Sequence, residues 1–188
     1  MKISLVTPNS ELLPSYIEAI SEGKYCNMAL GGFADDAVEA IERDRHGYLR
    51  KITNTCERKV RLPDGAEYTI SDQELFWITD GTRFLGTVSI RYSGDAELID
   101  LVAGHIGMAI RPSLLNQGYG VRAASEAWVQ IKERMRDRGI THIIATCDPE
   151  NRASKRLIEH NGGKLVQESK NLHGMGDNLT YRIELPIE

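Results

Sequence analysis

The sequence predicts a mixed α/β fold (α+β in layout), and three observations carry that expectation. Two β-rich runs, Leu75–Thr79 and Phe84–Tyr92, are joined by Asp80-Gly81, a dipeptide whose backbone freedom suits a tight hairpin. Two stretches near the C-terminus, Val121–Arg138 and Asn151–Asn161, repeat apolar residues at helical spacing. Short apolar runs precede, separate and follow them, and the order strand, helix, strand, helix, strand implies right-handed crossovers and some parallel pairing. The 188 residues are 41% hydrophobic and 27% charged, which suits one compact core and argues against wholesale disorder. No linker rich in Pro, Gly or Ser divides them, so residues 1–188 are read as a single domain.

Taken in order, Ile3–Thr7 reads as a short strand. Ser10–Glu22 follows as a helix, with Leu12, Leu13, Tyr16, Ile17 and Ile20 on its apolar stripe and Asn9 or Ser10 as its cap. Cys26–Phe33 is irregular, and Asp35–Arg45 is helical through Ala37, Val38, Ala40 and Ile41. Asn54–Asp72 is polar and turn-rich, with Pro63-Asp64-Gly65 its clearest turn. After the hairpin and an acidic turn, Ser93–Glu97, comes a strand-like run, Ala103–Ile110. It contains Gly104 and Gly107, the kind of residue that marks a bulge or a close approach to backbone. In the long helix Val121, Ala124, Trp128, Ile131 and Met135 share one face, and Gly139 stops it. Thr141–Thr146 is a short buried strand. The second helix is capped by Asn151 and closed by Gly162-Gly163, and Lys164–Gln167 and Leu179–Leu185 finish as strands. Phe76, Trp77 and Trp128 are read as packing, and the run Lys132–Arg138 as a solvated helix face.

Composition excludes several function classes. The formal net charge of -4 lacks the basic surplus of a protein that neutralises nucleic-acid phosphates. Cys26, Cys56 and Cys147 form no CxxC pair and are odd in number, which speaks against a disulfide framework or a structural zinc site. His46, His142, His160 and His173 show no metal-ligand spacing. The opening MKISLVTPNSELL has only the short apolar patch Ile3–Val6, and no stretch reaches the roughly 18 apolar residues of a membrane span. The expectation is a cytoplasmic protein with no nucleic-acid, membrane or metal partner.

Chemistry concentrates in Gly104–Gly120, GHIGMAIRPSLLNQGYG, which feeds directly into the long helix. It reads as a strand, a turn begun by Arg111-Pro112, and a glycine-bearing loop at a helix N-terminus. Gly118 and Gly120 remove side chains where backbone amides face outward, and those amides with the helix dipole favour an anion such as a pyrophosphate. Gly118–Ala123 also matches the dinucleotide fingerprint GxGxxA. That fingerprint needs its first glycine close behind the strand and an acid roughly 20 positions on. Here Arg111–Gln117 intervene and Asp148 lies thirty positions beyond Gly118, so the dinucleotide reading, and with it a nucleotide-dependent oxidoreductase, is the weaker one.

The run MAIRPSLLNQGYGVRA resembles the acyl-CoA-binding motif of GNAT N-acetyltransferases: a strand, a proline, then R/Q-x-x-G-x-G/A opening a helix. A second family element stands at the expected distance. Strand Thr141–Thr146 leads into Asp148-Pro149-Glu150-Asn151-Arg152-Ala153-Ser154, which is similar to the family's N-x-A-S helix start. Together they cover about Ala103–Leu165, and Leu75–Tyr92 fits the preceding hairpin, giving a cofactor-binding core of about 75–168. The resemblance implies a central, strongly twisted mixed sheet, antiparallel at first and parallel at the cofactor, with helices on both faces. It also implies acetyl-CoA as co-substrate and a small-molecule or peptide amine as acceptor. Homodimers are common in such enzymes, though no residue pattern here selects one.

By position, the resemblance gives the backbone of Met108, Ala109 and Ile110 to the pantetheine arm, as an added strand. The amides of Gln117, Gly118, Tyr119, Gly120 and Val121 go to the pyrophosphate, Asn151 and Ser154 to the pantetheine, and Lys155 or Arg156 to the adenosine phosphate. An amide of Met108–Ile110 would polarise the thioester carbonyl. Two positions depart from the pattern. The R/Q position is Leu115, with Gln117 or Arg122 as substitutes, and the tyrosine that commonly protonates the leaving thiolate is replaced by Ile158. That second departure makes a CoA-binding or sensing protein without turnover the alternative. His105 is the first candidate base, and a histidine packed in the sheet is its equal alternative. Glu97 and Asp100 are candidate relays, Tyr181 a substitute acid, and Cys147 an inert core thiol. The acceptor side falls to Ser10–Arg45 and the last strands, where no motif is legible.

Overall fold

The computed structural model describes residues 2–22, 34–54, 57–115 and 119–186. The chain divides into two compact units. One comprises Met1–Asn54, Glu74–Ser89 and Gly107–Gln130, and the other comprises Thr55–Gln73, Ile90–Ile106 and Ile131–Glu188.

In the first unit β1 (Ser4–Val6) pairs antiparallel with the second half of β3 (Glu67–Thr79), Ser4 opposite Thr79 and Val6 opposite Trp77. The predicted hairpin then leads into β4 (Phe84–Gly94), with Gly81 at φ 98° and the Asp80 carboxylate accepting from the Thr82 and Arg83 amides. Helix α1 (Leu13–Ile20) begins three residues later than Ser10, because Pro14 in its first turn needs no N–H partner and fixes the entry. Asn9 still works at this entry, its Oδ1 accepting from the Glu11 and Leu12 amides. Tyr16 is buried, stacks on Trp77 at 4.7 Å and shares a 2.8 Å hydroxyl–hydroxyl hydrogen bond with Tyr48. Trp77 in turn meets Phe84 edge-on, so aromatic contacts tie α1 to the hairpin.

Helix α2 (Ala34–Arg43) stops before Arg45, and a helix absent from the sequence reading, α3 (Arg45–Thr53), follows. Asp44 separates them by capping α3, accepting from the Gly47 amide at 2.8 Å. The apolar residues buried on α3, Tyr48 and Ile52, are too few among Arg, Lys and Gly to give a legible period. Cys26–Phe33 lies outside the described residues.

In the second unit the turn at Pro63-Asp64-Gly65 stands where expected, with Gly65 at φ 90°, but its flanks are strands. β2 (Arg58–Arg61) pairs antiparallel with the first half of β3, Arg58 opposite Ile70. β2 offers a single apolar residue, Val60, among Arg58, Lys59 and Arg61, which is why Asn54–Asp72 read as loop. A wide helical turn, Leu98–Ala103, takes Ala103 from the expected strand and Gly104-His105 link the two, so β5 (Ile106–Ile110) starts at Ile106.

The expected single mixed sheet is corrected to two sheets. One has the order β1-β3-β4-β5 with β2 on β3. The other comprises β6 (His142–Cys147), β7 (Lys164–Ser169) and β8 (Asn178–Glu184) in the order β6-β8-β7. β6 and β7 do run in the same direction across the helix between them. β8 inserts between the two and pairs antiparallel with each, so the parallel ladder expected from strand order is absent from these three strands. The expected parallel neighbour of β6 contributes one backbone hydrogen bond just before β5, from the His105 N–H to the Ile144 carbonyl.

Both long predicted helices are present, as α4 (Tyr119–Asp137) and α5 (Arg152–His160). Each ends in a left-handed glycine, Gly139 at φ 72° and Gly162 at φ 92°. Paired 6→1 and 5→2 hydrogen bonds close both ends, Ile140 to Met135 with Gly139 to Arg136, and Gly163 to Ile158 with Gly162 to Glu159. The run Lys132–Arg138 is not simply solvated. Met135 is buried, Lys132 donates to the Asn161 carbonyl, and Arg138 lies 4.2 Å over the Tyr92 ring.

Gly104 is the most constrained backbone position, at φ 65° and ψ -179°, a region open essentially to glycine. A Cβ there would come 2.8 Å from the Ile144 carbonyl oxygen. Gly104→Ala is therefore expected to destabilise the fold by about 2–4 kcal/mol in denaturant titration, from backbone strain plus the displaced carbonyl.

Candidate functional site

β5 stands last in its sheet order, so one of its edges faces β4 and the other has no strand beside it among the described residues. The Arg91 amide bonds the His105 carbonyl, and the Arg111 amide bonds the Leu85 carbonyl. Antiparallel alternation then turns the polar groups of Gly107 and Ala109 toward β4 as well. The N–H and C=O groups of Met108 and Ile110 point the other way, to the open edge. Of the three residues expected to take a pantetheine arm, these two have backbone groups available for it. Gly86 supports the arrangement from β4, since a Cβ there would strike the Ala109 carbonyl.

The first turn of α4 begins at Tyr119, so the Tyr119, Gly120 and Val121 amides belong to a helix N-terminus, where backbone N–H groups lack intrahelical partners. Gln117 and Gly118 lie outside the described residues. Leu115, at the family's R/Q position, is exposed.

At the start of α5 the Asn151 Oδ1 caps the helix by accepting the Ser154 amide at 3.0 Å, leaving the side-chain NH₂ as its donor. Ser154 and Lys155 are half-buried and Arg156 is exposed. Ile158 is a core residue against which Gly163 packs, and a Cβ on Gly163 would overlap the Ile158 side chain. The family's tyrosine position is thus filled by packing.

His105 resolves toward the packed alternative. It is buried, and its Nδ1 accepts the Ile144 amide at 2.9 Å. Acceptance at Nδ1 puts the proton of the neutral ring on Nε2, which leaves no lone pair to receive another. Burial, reinforced by His142, lowers its pKa to about 4. Of the candidate relays, Asp100 is exposed on the wide turn, and Glu97 is held by the Tyr68 hydroxyl and the His173 ring. Tyr181 is buried on β8 and its hydroxyl donates to Glu159 Oε1 at 3.4 Å; burial, with Cys147 and Glu159 beside it, raises its pKa. Cys147 is buried, and burial raises its pKa too, which fits an inert thiol. Among the described residues no group of His, Cys, Asp and Glu is arranged for a metal ion. No helix is long and apolar enough to cross a membrane.

One cluster escaped the sequence reading. Arg111, directly after β5, donates through Nε to Glu22 Oε1 at 2.7 Å and through Nη1 to Ser15 Oγ at 3.2 Å. Ser113 adds its amide and hydroxyl to the same Glu22 carboxylate at 2.9 and 3.0 Å. Burial alone pushes Glu22 up, but the Arg111 and Ser113 hydrogen bonds outweigh it and hold the carboxyl below its ordinary range. Partners 89 positions apart leave no local signal.

A family model, the acetyltransferase (GNAT) domain, matches residues 32–164. No curated protein sequence matches the chain. Among solved structures, the Salmonella typhimurium acetyltransferase that modifies the N-terminal serine of ribosomal protein L7/L12 is 14% identical with a TM-score of 0.61, covering 99% of this chain and 96% of that one. A GNAT-family acetyltransferase from Bacillus anthracis is 17% identical at TM-score 0.58, with 98% and 95% covered. The microcin C7 self-immunity acetyltransferase, solved with acetyl-CoA and AMP, is 15% identical at TM-score 0.60, with 97% and 92% covered. At these identities the likeness shows the fold.

The depressed pKa of His105 gives a stability signature. The folded protein keeps this ring neutral while the unfolded chain protonates it near pH 6.5, so its contribution is complete above that pH and is lost as pH falls toward 4. His105→Asn, whose Oδ1 can still accept the Ile144 amide, should be less acid-sensitive than the parent. Denaturant titrations at pH 7 and pH 4.5 are expected to differ between the two by about 2–3 kcal/mol. An equal acid response in both would show that His105 is not the group responsible.

Proposed function

This chain belongs to the GNAT family of acyl-CoA-dependent N-acetyltransferases, and from that premise we propose that it transfers an acetyl group from acetyl-CoA to a primary amine by direct attack. The observation that carries the reading is the edge of β5 that has no strand beside it among the described residues, toward which the backbone groups of Met108 and Ile110 alternate. Pantetheine, which carries amides of its own, adds to such an edge as a short strand does. The N-terminal amides of α4, Tyr119 to Val121 with Gln117 and Gly118 before them, take the pyrophosphate. Asn151 offers its NH₂ and Ser154 its hydroxyl to the pantetheine, and Arg156 serves the adenosine phosphate.

In this reading the amide of Met108 or Ile110 receives the charge that develops on the thioester oxygen, an interaction worth about 2.7–4 kcal/mol for one such donor. The acceptor must first lose a proton. For an amine of pKa about 10.4 that costs about 4–5 kcal/mol at neutral pH. With His105 committed to the sheet, a water chain to solvent carries that proton, and turnover rises with pH as the free amine accumulates. Tyr181 supplies a proton to the departing thiolate, with Glu159 orienting its hydroxyl.

The acceptor is a small molecule or a peptide amine. Structural neighbours that modify an N-terminal serine make a seryl α-amine the first peptide to try. A CoA-binding protein without turnover is the second reading, and the burial of Ile158 at the acid's usual position favours it.

The deciding experiment is calorimetric titration with acetyl-CoA, with NADH as control. Thiol release is then followed on a seryl peptide with a free α-amine, a lysyl peptide and a diamine. Binding of acetyl-CoA alone, with release on one acceptor class, is the expected result. Binding without release selects the second reading, and no binding overturns both. In the active protein Tyr181→Phe should lower kcat by about tenfold with acetyl-CoA affinity unchanged, a modest effect because a CoA thiolate leaves readily. An unchanged kcat would remove Tyr181 from the mechanism.

A further inference from the structure

We infer that Glu22, held by Arg111 and Ser113, positions the acceptor side of the reaction by fastening the end of α1 to the segment that joins the cofactor strand to the cofactor loop. The inference rests on the proposed transfer reaction and on α1 forming part of the acceptor wall.

Arg111 immediately follows Ile110, and its amide is already tied to Leu85, so its backbone moves with β5. Its guanidinium reaches Ser15 and Glu18 on α1 and Glu22 just past its end. The contacts are unequal. Glu18 is exposed and 3.5 Å away, whereas Arg111 Nη2 lies 2.6 Å from Glu22, with both side chains largely shielded. Ser15 Oγ also accepts the Phe84 amide at 3.1 Å, so one hydroxyl joins α1, the first residue of β4 and Arg111. The Glu22 carboxylate accepts from two chemically different sources, a guanidinium and the Ser113 amide with its hydroxyl.

These contacts exceed what packing α1 requires. The buried face of α1, Leu13, Tyr16, Ala19 and Ile20, already fixes the helix against the aromatic core. Glu22 lies beyond the last helical turn, where that core no longer reaches, and the hydrogen bonds hold the chain there. Charge-assisted hydrogen bonds of this geometry are directional, so they fix position more than they add stability. Glu22 is thus a positioning residue: it touches neither cofactor nor acceptor, and its loss should be felt where α1 meets the acceptor.

The test compares Glu22→Ala with the parent on the best amine of the panel, measuring acceptor KM, kcat, acetyl-CoA Kd and the melting temperature. The expected result is an acceptor KM raised about tenfold, with kcat and acetyl-CoA Kd within about twofold. Glu22→Gln, which keeps an oxygen for the Ser113 amide, should recover part of the loss, and it carries the same test should the alanine variant fail to fold. A parent that turns over while both variants keep its acceptor KM overturns the positioning role. So does a fall in kcat that merely tracks the loss of folded protein. A parent with no turnover on any amine overturns the transfer reading, and the inference with it.

Discussion

The backbone crosses from the wide helical turn into β5 through Gly104 and His105, and the arrangement of the second unit depends on what those residues do. His105 holds Ile144 twice, giving its N–H to the carbonyl and taking the Ile144 amide on Nδ1. The imidazole completes with a side chain the bond that a parallel ladder would have made with backbone. The neighbouring residue has to be glycine, because the Ile144 carbonyl occupies the space of a Cβ. Arg91 closes the crossing from the β4 side, donating to the Ala103 and Gly104 carbonyls through Nη1 while its amide takes the His105 carbonyl. Burial lowers Arg91 to about 10, and it remains charged at neutral pH to hold both.

That junction sets which groups of β5 are left over. The parity fixed by Arg91 with His105 at one end and Arg111 with Leu85 at the other assigns Gly107 and Ala109 to β4. The same alternation turns the polar groups of Met108 and Ile110 to the edge away from β4. The same turn of chain thus has a structural residue, His105, within five positions of the two residues proposed to meet the cofactor. A histidine at this place in the sequence invites a catalytic role, and its geometry gives it a structural one.

The sequence was most legible where a single residue type decides a local geometry. Gly81, Gly139 and Gly162 stand at positive φ where a hairpin turn and two helix ends were expected, and Asn151 caps α5 as its position before Ala153-Ser154 suggested. It was least legible where the determinant is distant or polar. The β2–β3 hairpin is built from Arg58–Arg61 and Glu67–Ile70, where Val60 stands as the one apolar residue of β2 among three cations and Ile70 is buried opposite Arg58. The order β6-β8-β7 depends on the last strand entering between two earlier ones, which no local pattern announces. Glu22 and Arg111 were each legible as the end of one element and the start of a turn, and only the fold joins them. Of the motif residues, those expected to act through backbone stood in readable glycine-bearing runs. Those expected to act through side chains, His105 and Tyr181, needed the structure to show what surrounds them.

In the proposed complex acetyl-CoA lies along the open edge of β5 and against the first turn of α4. Amide hydrogen exchange with and without acetyl-CoA tests it most directly. Slowed exchange is expected at Met108 and Ile110 and across Gly118–Val121, with Gly107 and Ala109, which face β4, nearly unchanged. Acetyl-CoA binding that leaves Met108, Ile110 and the start of α4 as fast as in the free protein would contradict it.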